Sequence, residues 1–309
     1  MKTTSLLALA LPVLFGSCAG FHLETASEER TFSAPIGESR SIRVETVNGQ
    51  VTILAEEGRS DVEVRAVVKA SARTIEEAEA RLPEIGVIAE NVNGGDLAIS
   101  VVFPDGKPRS NEGCAFDIRT PIAHGVLVDT SNGSITVEGL SGRAELHTSN
   151  GPVSILHHDG DLLVRTSNGR IVAEGRIGTA DLDSSNGGIT VTGARGRVTA
   201  DTSNGNVLFR PAAGYSSPFR IDSSNGNVEV RLPDDASVEC EASTSNGSVT
   251  VSGHAPGLVV TGEKKNERRI RIGRGGGAAS EVSTSNGTIT VAIVSAGAER
   301  EEKETALPR

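Results

Sequence analysis

The feature that most constrains this chain is a four-residue sequence, Ser/Thr-Ser-Asn-Gly, which occurs eight times between residues 130 and 287. Its asparagines are separated by steps of 18, 18, 18, 18, 21, 21 and 40 residues. They are Asn132, Asn150, Asn168, Asn186, Asn204, Asn225, Asn246 and Asn286. A fixed period of this length is typical of repeat architectures, in which each repeat is one element of a stack. The chain is therefore predicted to be a stack of rungs of about 18–21 residues.

Apolar residues alternate with polar ones on both sides of each asparagine. Around Asn132, for example, Val126, Val128, Ile135 and Val137 share one face, and the same positions are apolar in nearly every copy. This period of two predicts two strands in each rung. The Thr or Ser two residues before each Asn lies on the same inward side. The Asn-Gly pair is expected to turn the corner between the strands in left-handed conformations.

Several β architectures are compatible with this pattern. An antiparallel meander would leave a wide apolar face uncovered, and a sandwich or barrel is a further alternative. A solenoid instead seals a continuous core between the two strands of each rung and leaves edges only at its ends. The predicted fold class is therefore all-β, a β-solenoid (β-helix) of two-strand rungs. Rungs stacked ~4.8 Å apart would align the eight asparagines in a structural ladder along one corner.

The rest of the chain falls into segments of different composition. We predict a signal peptide at residues 1–18, a tether at 19–30, a β-rich segment at 31–121, the repeat solenoid at 122–295 and a charged, disordered tail at 296–309. A capping box that begins at Thr74 predicts a short helix over residues 75–82. Asn48-Gly49 is an early, imperfect copy of the repeat, and a degenerate rung near Asn266 would divide the 40-residue step in two.

The first 18 residues carry an export signal. Lys2 precedes an apolar run from Leu6 to Phe15, which is too short to span a bilayer. The small residues directly before Cys18 resemble a bacterial lipoprotein signal, which implies lipidation of that cysteine; ordinary signal-peptidase cleavage near Ala19 is the alternative. The resemblance implies an extracytoplasmic, membrane-anchored lipoprotein, with the outer membrane favoured because Ala19 is not an acidic retention signal.

Charge and cysteine content narrow the chemistry further. The net charge of −10 argues against nucleic acid as a partner and against electrostatic binding to anionic membranes. Cys114 and Cys240 stand at inward positions about six rungs apart, or ~29 Å at ~4.8 Å per rung, whereas a disulfide needs Cα atoms within ~7 Å. They are predicted to be buried free thiols. The six histidines lack zinc-ligand spacing, and no cofactor is predicted.

Charged residues at outward positions are the candidate functional groups. Asp183, Asp201 and Asp222 each stand three residues before an asparagine and are expected to stack on adjacent rungs. They are weak candidates for a cation site, since calcium-binding β-rolls carry aspartates inside the turn; a solvated acidic stripe is the alternative. No catalytic pair stands out among the outward charged residues, which include Glu145, Arg165, Asp181, Arg220 and Glu241. No metal site and no catalytic residue are predicted.

The repeated S/T-x-N-G-x-I-x-V, preceded by a helix near residues 75–82 and by Phe116-Asp117-Ile118-Arg119-Thr120-Pro121, resembles a known family. The family is that of the bacterial candidate-adhesin domains of unknown function, which are extracytoplasmic β-solenoids. The resemblance covers roughly residues 31–295. The motif is specific for the fold and gives little about function, and the resemblance supplies no catalytic residues. The long ladders of Ser, Thr, Asn and charged groups suit weak, multivalent contact with glycans or envelope proteins, so we predict a non-catalytic envelope protein that binds or adheres to them. A polysaccharide-active solenoid enzyme and an accessory protein in envelope-stress sensing are the alternatives.

Overall fold

The computed structural model describes residues 23–35, 41–92, 96–121, 123–273 and 279–295. The predicted signal peptide, the lipidation site Cys18 and the predicted tail at 296–309 lie outside the described residues. The chain divides into two compact units, Met1–Gly151 and Pro152–Arg309, each of which has its own stack of rungs. In the described part of the chain, no helix has the length and apolar character that a membrane span requires.

The first unit holds ten strands and the α-helix of the described chain. The strands are β1 (Glu24–Ala34), β2 (Ser41–Glu45), β3 (Val51–Ala55), β4 (Val62–Ala72), β5 (Gly86–Val92), β6 (Asp96–Val102), β7 (Gly113–Thr120), β8 (Gly125–Thr130), β9 (Ile135–Glu138) and β10 (Arg143–Thr148). Helix α1 (Ile75–Arg81) follows β4 and continues into a 3-10 turn, Leu82–Glu84.

The rungs of the first unit are not stacked in chain order. Strands β2 and β3 form the early rung around Asn48, and they pair in parallel with β8 and β9 of the Asn132 rung. On their other side, β2 pairs with β6 and β3 pairs with β7. The β2/β3 rung is thus inserted between two rungs that follow it in the chain. The predicted boundary between residues 121 and 122 consequently lies inside this unit.

Antiparallel strands close the end of the first unit. Strand β5 pairs with β6, β4 pairs with β7, and β1 pairs with β4 along its whole length. Helix α1 begins after Thr74, whose hydroxyl accepts a bond from the Glu77 amide. The tether predicted at 19–30 is wrong for residues 24–30, which belong to β1. Their polar side chains make tertiary bonds, since Arg30 donates to the carbonyls of Leu82 and Ile85.

The second unit holds the remaining strands. They are β11 (Val153–Thr166), β12 (Ile171–Ser184), β13 (Ile189–Ala194), β14 (Val198–Thr202), β15 (Val207–Pro211), β16 (Phe219–Ser223), β17 (Val228–Pro233), β18 (Val238–Asn246), β19 (Val249–Ser252), β20 (Val259–Thr261), β21 (Glu267–Ile272), β22 (Ser280–Asn286) and β23 (Ile289–Val294).

Two parallel sheets run the length of the second unit. One contains the second halves of β11 and β12, followed by β14, β16, β22 and β18. The other contains their first halves, followed by β13, β15, β17, β23 and β19. The apolar positions predicted to face inward are buried, apart from Val251, which is half-buried. The predicted all-β solenoid is confirmed.

The predicted rung between Asn246 and Asn286 is wrong. Strand β21 pairs antiparallel with β18, and β20 pairs antiparallel with β21, so residues 259–272 form a hairpin at the end of the stack. Asn246 and Asn286 are direct register partners. The rung of β22 and β23 lies between the β16/β17 rung and the β18/β19 rung. This order gives β17 the longer partner, because β23 pairs with all six residues of β17, whereas β19 has only four residues before the chain turns at Gly253.

Candidate functional site

The Asn side chains of the repeat form a hydrogen-bonded ladder in each unit. In every bond of these ladders, the Nδ2 of one Asn donates to the Oδ1 of the Asn on the neighbouring rung. In the second unit the bonds run Asn186 to Asn168 (2.8 Å), Asn204 to Asn186 (2.9 Å), Asn225 to Asn204 (3.0 Å), Asn286 to Asn225 (2.8 Å) and Asn246 to Asn286 (2.9 Å). In the first unit they run Asn132 to Asn48 and Asn150 to Asn132, both 2.7 Å.

A second, buried ladder lies behind the asparagines. The Thr or Ser two residues before each Asn is buried. Within each unit, hydroxyls at this position donate to the carbonyl of the corner glycine on the neighbouring rung, as Thr148 does to Gly133 and Ser184 to Gly169. Thr202 donates to Gly187 and Thr284 to Gly226, each at 2.9 Å. These bonds satisfy polar groups that would otherwise be buried without a partner. The Thr/Ser position is therefore structural.

The corner glycine is required by close approach of neighbouring rungs. A Cβ at Gly187 would lie 1.7 Å from the carbonyl oxygen of Gly169, and one at Gly133 would lie 1.8 Å from that of Gly49. No residue of the described Ser-Asn-Gly corners has a positive φ. The prediction of left-handed corners is thus wrong. Positive φ occurs instead in the opposite turns, for example at Gly139 and Gly193.

The outer edge of this corner is a row of oriented, exposed amides. A primary amide carries two N–H donors and two acceptor lone pairs, and each ladder bond uses one of each. An interior member such as Asn204 therefore has one donor and one lone pair directed away from the ladder. The serines directly before the asparagines, such as Ser185 and Ser203, are exposed beside them. In the second unit these groups form the surface that we call the corner ladder, Asn168, Asn186, Asn204, Asn225, Asn286 and Asn246 with their preceding serines.

A row of acidic side chains lies beside the corner ladder. Asp183 is the register partner of Asp201, and Asp201 is that of Asp222. Burial, followed by the negative charges of Asp222, Asp183 and Asp181, raises the pKa of Asp201 above its usual value. The three aspartates predicted to stack on adjacent rungs do so. We call Asp183, Asp201 and Asp222 the acidic row.

Basic and hydroxyl groups partly offset this charge. Arg165 donates two bonds to the carboxylate of Asp181, at 3.0 and 2.8 Å, and the hydroxyl of Ser283 donates to Asp222 at 2.6 Å. Arg220 pairs with Glu281 at 2.9 Å. In the described part of the chain, no group of three or more His, Cys, Asp or Glu residues is arranged to hold a metal ion.

The first unit places its outward candidates differently. His147 is the register partner of Asp129, which in turn lies beside Glu45. Glu145 lies 3.6 Å from His147 and 3.5 Å from Arg143. Two acidic side chains, Glu45 and Asp129, are thus followed by His147 at this position of the first unit, whereas three aspartates stand in register in the second unit.

Both cysteines in the described chain are buried free thiols, as predicted. Burial raises the pKa of Cys114 to about 12 and that of Cys240 to about 12, so both remain protonated at neutral pH. The thiolate is the reactive form of cysteine. Neither residue is a candidate nucleophile.

A buried ion cluster in the first unit was not predicted. Arg81, at the end of α1, contacts Glu84 at 2.7 Å, Asp105 at 2.8 Å and the fully buried Glu112 at 3.1 Å. Burial alone would lower the pKa of Arg81, but the hydrogen bonds that its guanidinium donates to Glu112, Glu84 and Asp105 raise that pKa above its ordinary value. Glu112 also accepts from the Arg109 amide. No periodicity marks these residues in the sequence, because Glu112 lies in a loop between strands.

In each unit, the repeated corner, the stacked parallel rungs and the antiparallel end strands together define a β-repeat fold. The sequence profile of the Toastrack DUF4097 family matches residues 35–292. The chain belongs to the Toastrack DUF4097 family. The comparison with curated proteins finds no match.

Several solved structures are similar to this chain. A candidate adhesin from Bacteroides fragilis NCTC 9343 is 16% identical, with 86% of this chain and 97% of that chain covered and a TM-score of 0.45. A candidate adhesin from Parabacteroides distasonis ATCC 8503 is 13% identical, with 85% and 96% covered and a TM-score of 0.45. A candidate lipid-binding protein from the same organism is 14% identical, with 84% and 96% covered and a TM-score of 0.42.

Proposed function

We propose that this chain is a non-catalytic lipoprotein of the cell envelope, anchored through Cys18, whose corner ladder binds hydroxyl-rich polymers and so supports adhesion. The supporting observation is the row of exposed asparagine amides, in which interior members such as Asn186 and Asn204 bond to the Asn on each side and keep one donor and one acceptor. The ladder fixes the orientation of these groups before any ligand arrives. Preorganised groups lose less conformational entropy on binding.

Glycans fit this surface better than apolar ligands do. Hydroxyl groups both donate and accept hydrogen bonds, as the amides and the flanking serine hydroxyls do. The amides recur at the ~4.8 Å spacing of adjacent strands, so an extended polymer can make many weak contacts at once. Aromatic stacking is not part of the proposal, since Phe209, Phe219 and Tyr215 pack against one another in the core.

The acidic row narrows the class of glycan. Asp183, Asp201 and Asp222 lie three residues before the ladder asparagines and carry negative charge on the adjoining surface. Like charges placed together are unfavourable, so polymers rich in uronate or sulfate would be repelled. We therefore propose neutral or amine-bearing glycans as the ligands. An envelope protein is the competing class of ligand.

Binding to a panel of neutral, amine-bearing and uronate-bearing oligosaccharides tests this proposal. Asn204→Leu removes both spare hydrogen-bonding groups from the middle of the ladder, and Thr190→Ala is the control on the other sheet. We expect weak binding of neutral or amine-bearing oligosaccharides that Asn204→Leu reduces and Thr190→Ala retains. No binding to any member of the panel would refute the glycan proposal. Cleavage of a bound oligosaccharide would favour the polysaccharide-active enzyme instead.

The anchor is tested separately. Cys18→Ser removes the thiol that would carry the lipid, while residues 19–309 stay unchanged. We expect the protein to move from the membrane fraction of the cell envelope to the soluble fraction. Unchanged partitioning would show that the lipoprotein proposal is wrong, and it would leave the glycan proposal untouched.

A further inference from the structure

Two rungs of the second unit have nearly the same sequence. Residues 241–251 are Glu-Ala-Ser-Thr-Ser-Asn-Gly-Ser-Val-Thr-Val, and residues 281–291 are Glu-Val-Ser-Thr-Ser-Asn-Gly-Thr-Ile-Thr-Val. Eight of the eleven positions are identical, and the other three differ by one or two methyl groups. The two rungs also lie side by side, with Asn246 opposite Asn286 and Glu241 opposite Glu281.

The later of these rungs occupies a slot between two earlier ones. We call β22 and β23 the inserted rung. On one side Thr284 donates to the Gly226 carbonyl at 2.9 Å, and Asn286 donates to Asn225 at 2.8 Å. On the other side, Thr244 donates to the Gly287 carbonyl at 2.9 Å. The inserted rung therefore completes the ladder in both directions, and its absence would leave polar groups on both neighbours without their ladder partners.

A single connection joins the inserted rung to the preceding strand. Ile272 pairs with Val238 and Ser280 pairs with Cys240, so only β18 lies between the two ends of that connection. Two strand spacings amount to ~9.6 Å, whereas eight peptide steps can reach ~27 Å. The connection is therefore longer than the distance that it spans, so its length does not force the inserted rung into the slot of its own chain.

We propose that the inserted rung exchanges between two copies of this chain, each donating β22 and β23 to the slot of the other. The same hydrogen bonds and the same apolar contacts form whether the rung comes from its own chain or from a second copy. The balance between the two states then depends mainly on protein concentration and on the connection, as in other domain-swapped dimers. Such a dimer would carry two corner ladders, although the proposal does not depend on what those ladders bind.

The exchange can be detected with two single-cysteine variants of the Cys18→Ser chain. One copy carries Asp222→Cys and the other carries Ser283→Cys, which are register partners on the outer face. Within one chain neither new thiol has a partner, and the native cysteines are buried. A disulfide between the two variants forms readily only when the inserted rung of one copy occupies the slot of the other. The control pair replaces Asp222→Cys with Asp183→Cys, which is exposed but lies two rungs farther away.

The mixtures are incubated at increasing protein concentration, oxidised and analysed by non-reducing electrophoresis and mass spectrometry. We expect a mixed dimer of the first pair that increases with concentration, and loss of that product in the control pair. Circular dichroism of each variant before mixing checks that the rungs are folded. Equal cross-linking of both pairs, or none of either at the highest concentration, would overturn the proposal.

Discussion

The two units contain the same kind of rung, but their end caps are built differently. The first unit is capped by β5, β4 and β1 together with helix α1, and Arg81 and Glu112 form a buried ion pair there. The second unit is capped by the hairpin of β20 and β21, where Val259 and Val260 are 40% and 41% exposed. The cap of the first unit is thus thick and encloses a buried ion pair, whereas that of the second is thin and open to solvent.

Both units nevertheless insert a rung out of chain order. In the first unit the β2/β3 rung, early in the chain, lies between two later rungs, and in the second unit the β22/β23 rung lies between two earlier ones. In a simple solenoid each repeat contacts only its sequence neighbours, so the terminal repeats are the ones most easily lost. Here the first rung of the first unit (β2/β3) and the last rung of the second unit (β22/β23) are instead enclosed on both sides. The difference between the units therefore lies in their caps.

The largest effect is expected from Arg81→Met in the cap of the first unit. It leaves the carboxylate of Glu112, which is fully buried, without its cation. Removal of one member of a buried pair typically costs about 3–5 kcal/mol. We expect a loss of unfolding free energy of that size, measured by denaturant titration, with hydrogen exchange accelerated in the first unit.

A double variant distinguishes charge burial from lost packing. Arg81→Met with Glu112→Leu removes both charges, and the replacement of a buried pair by apolar residues is often neutral within about 1 kcal/mol or stabilising. We expect much of the lost stability to return. If the double variant is as unstable as the single one, the cap does not depend on this ion pair.

The next largest effect is expected from alanine substitution of a corner glycine, which tests whether neighbouring rungs are stacked equally closely in the two units. Gly133→Ala and Gly187→Ala each place a Cβ within 1.8 Å of a backbone oxygen of the neighbouring rung. Overpacking of this kind costs about 1–3 kcal/mol or more, because backbone atoms must move apart. Thermal unfolding should show similar destabilisation for both, whereas Gly86→Ala, whose Cβ would have 3.6 Å to its nearest neighbour, should be tolerated. Tolerance at either corner would show that the stacking is looser there.

The repeat made much of the rung geometry predictable. Alternation around each Asn identified the inward residues, and the fixed distance of Asp183, Asp201 and Asp222 from the asparagines aligned them on one face. Period and alternation are local properties, and a stack repeats them without change. The sequence was therefore sufficient to predict which residues of the corner ladder and the acidic row stand next to each other. Which of its members form ion pairs depended on contacts such as that between Arg165 and Asp181.

The order of the rungs was not predictable in the same way. The rungs at residues 241–251 and 281–291 are so similar that sequence alone does not decide which lies next to the Asn225 rung. Six-residue pairing of β23 with β17, compared with four residues in β19, selects the observed order. The reason for the corner glycine was also missed, because close approach of two backbones depends on the stacking.

A smaller effect is expected from the ladder itself. Asn204→Ala breaks two side-chain bonds, to Asn186 and from Asn225, whereas Asn246→Ala breaks one at the end of the ladder. A hydrogen bond contributes about 0.5–1.5 kcal/mol net, and less where water can replace it. Urea titration should therefore show a loss of about 1–2 kcal/mol for Asn204→Ala and roughly half of that for Asn246→Ala. Equal losses at the two positions would mean that the ladder bonds contribute little.

The smallest effect is expected from Asp201→Asn, and its sign is opposite to that of the others. The raised pKa of Asp201, caused by burial and then by Asp222, Asp183 and Asp181, means that its negative charge is less favourable in the folded state than in the unfolded state. Such a group contributes stability only while it is protonated, and that contribution is lost as the pH rises through the folded pKa. Asp201→Asn should therefore stabilise the second unit at neutral pH by about 0.2–1 kcal/mol, the range for cross-strand charge pairs. The advantage should disappear in acid, where Asp201 is itself protonated. Thermal unfolding measured from neutral to acidic pH checks both the stabilisation and its loss. If Asp201→Asn is less stable than the parent at neutral pH, the charge of Asp201 takes part in an attraction that these contacts do not include.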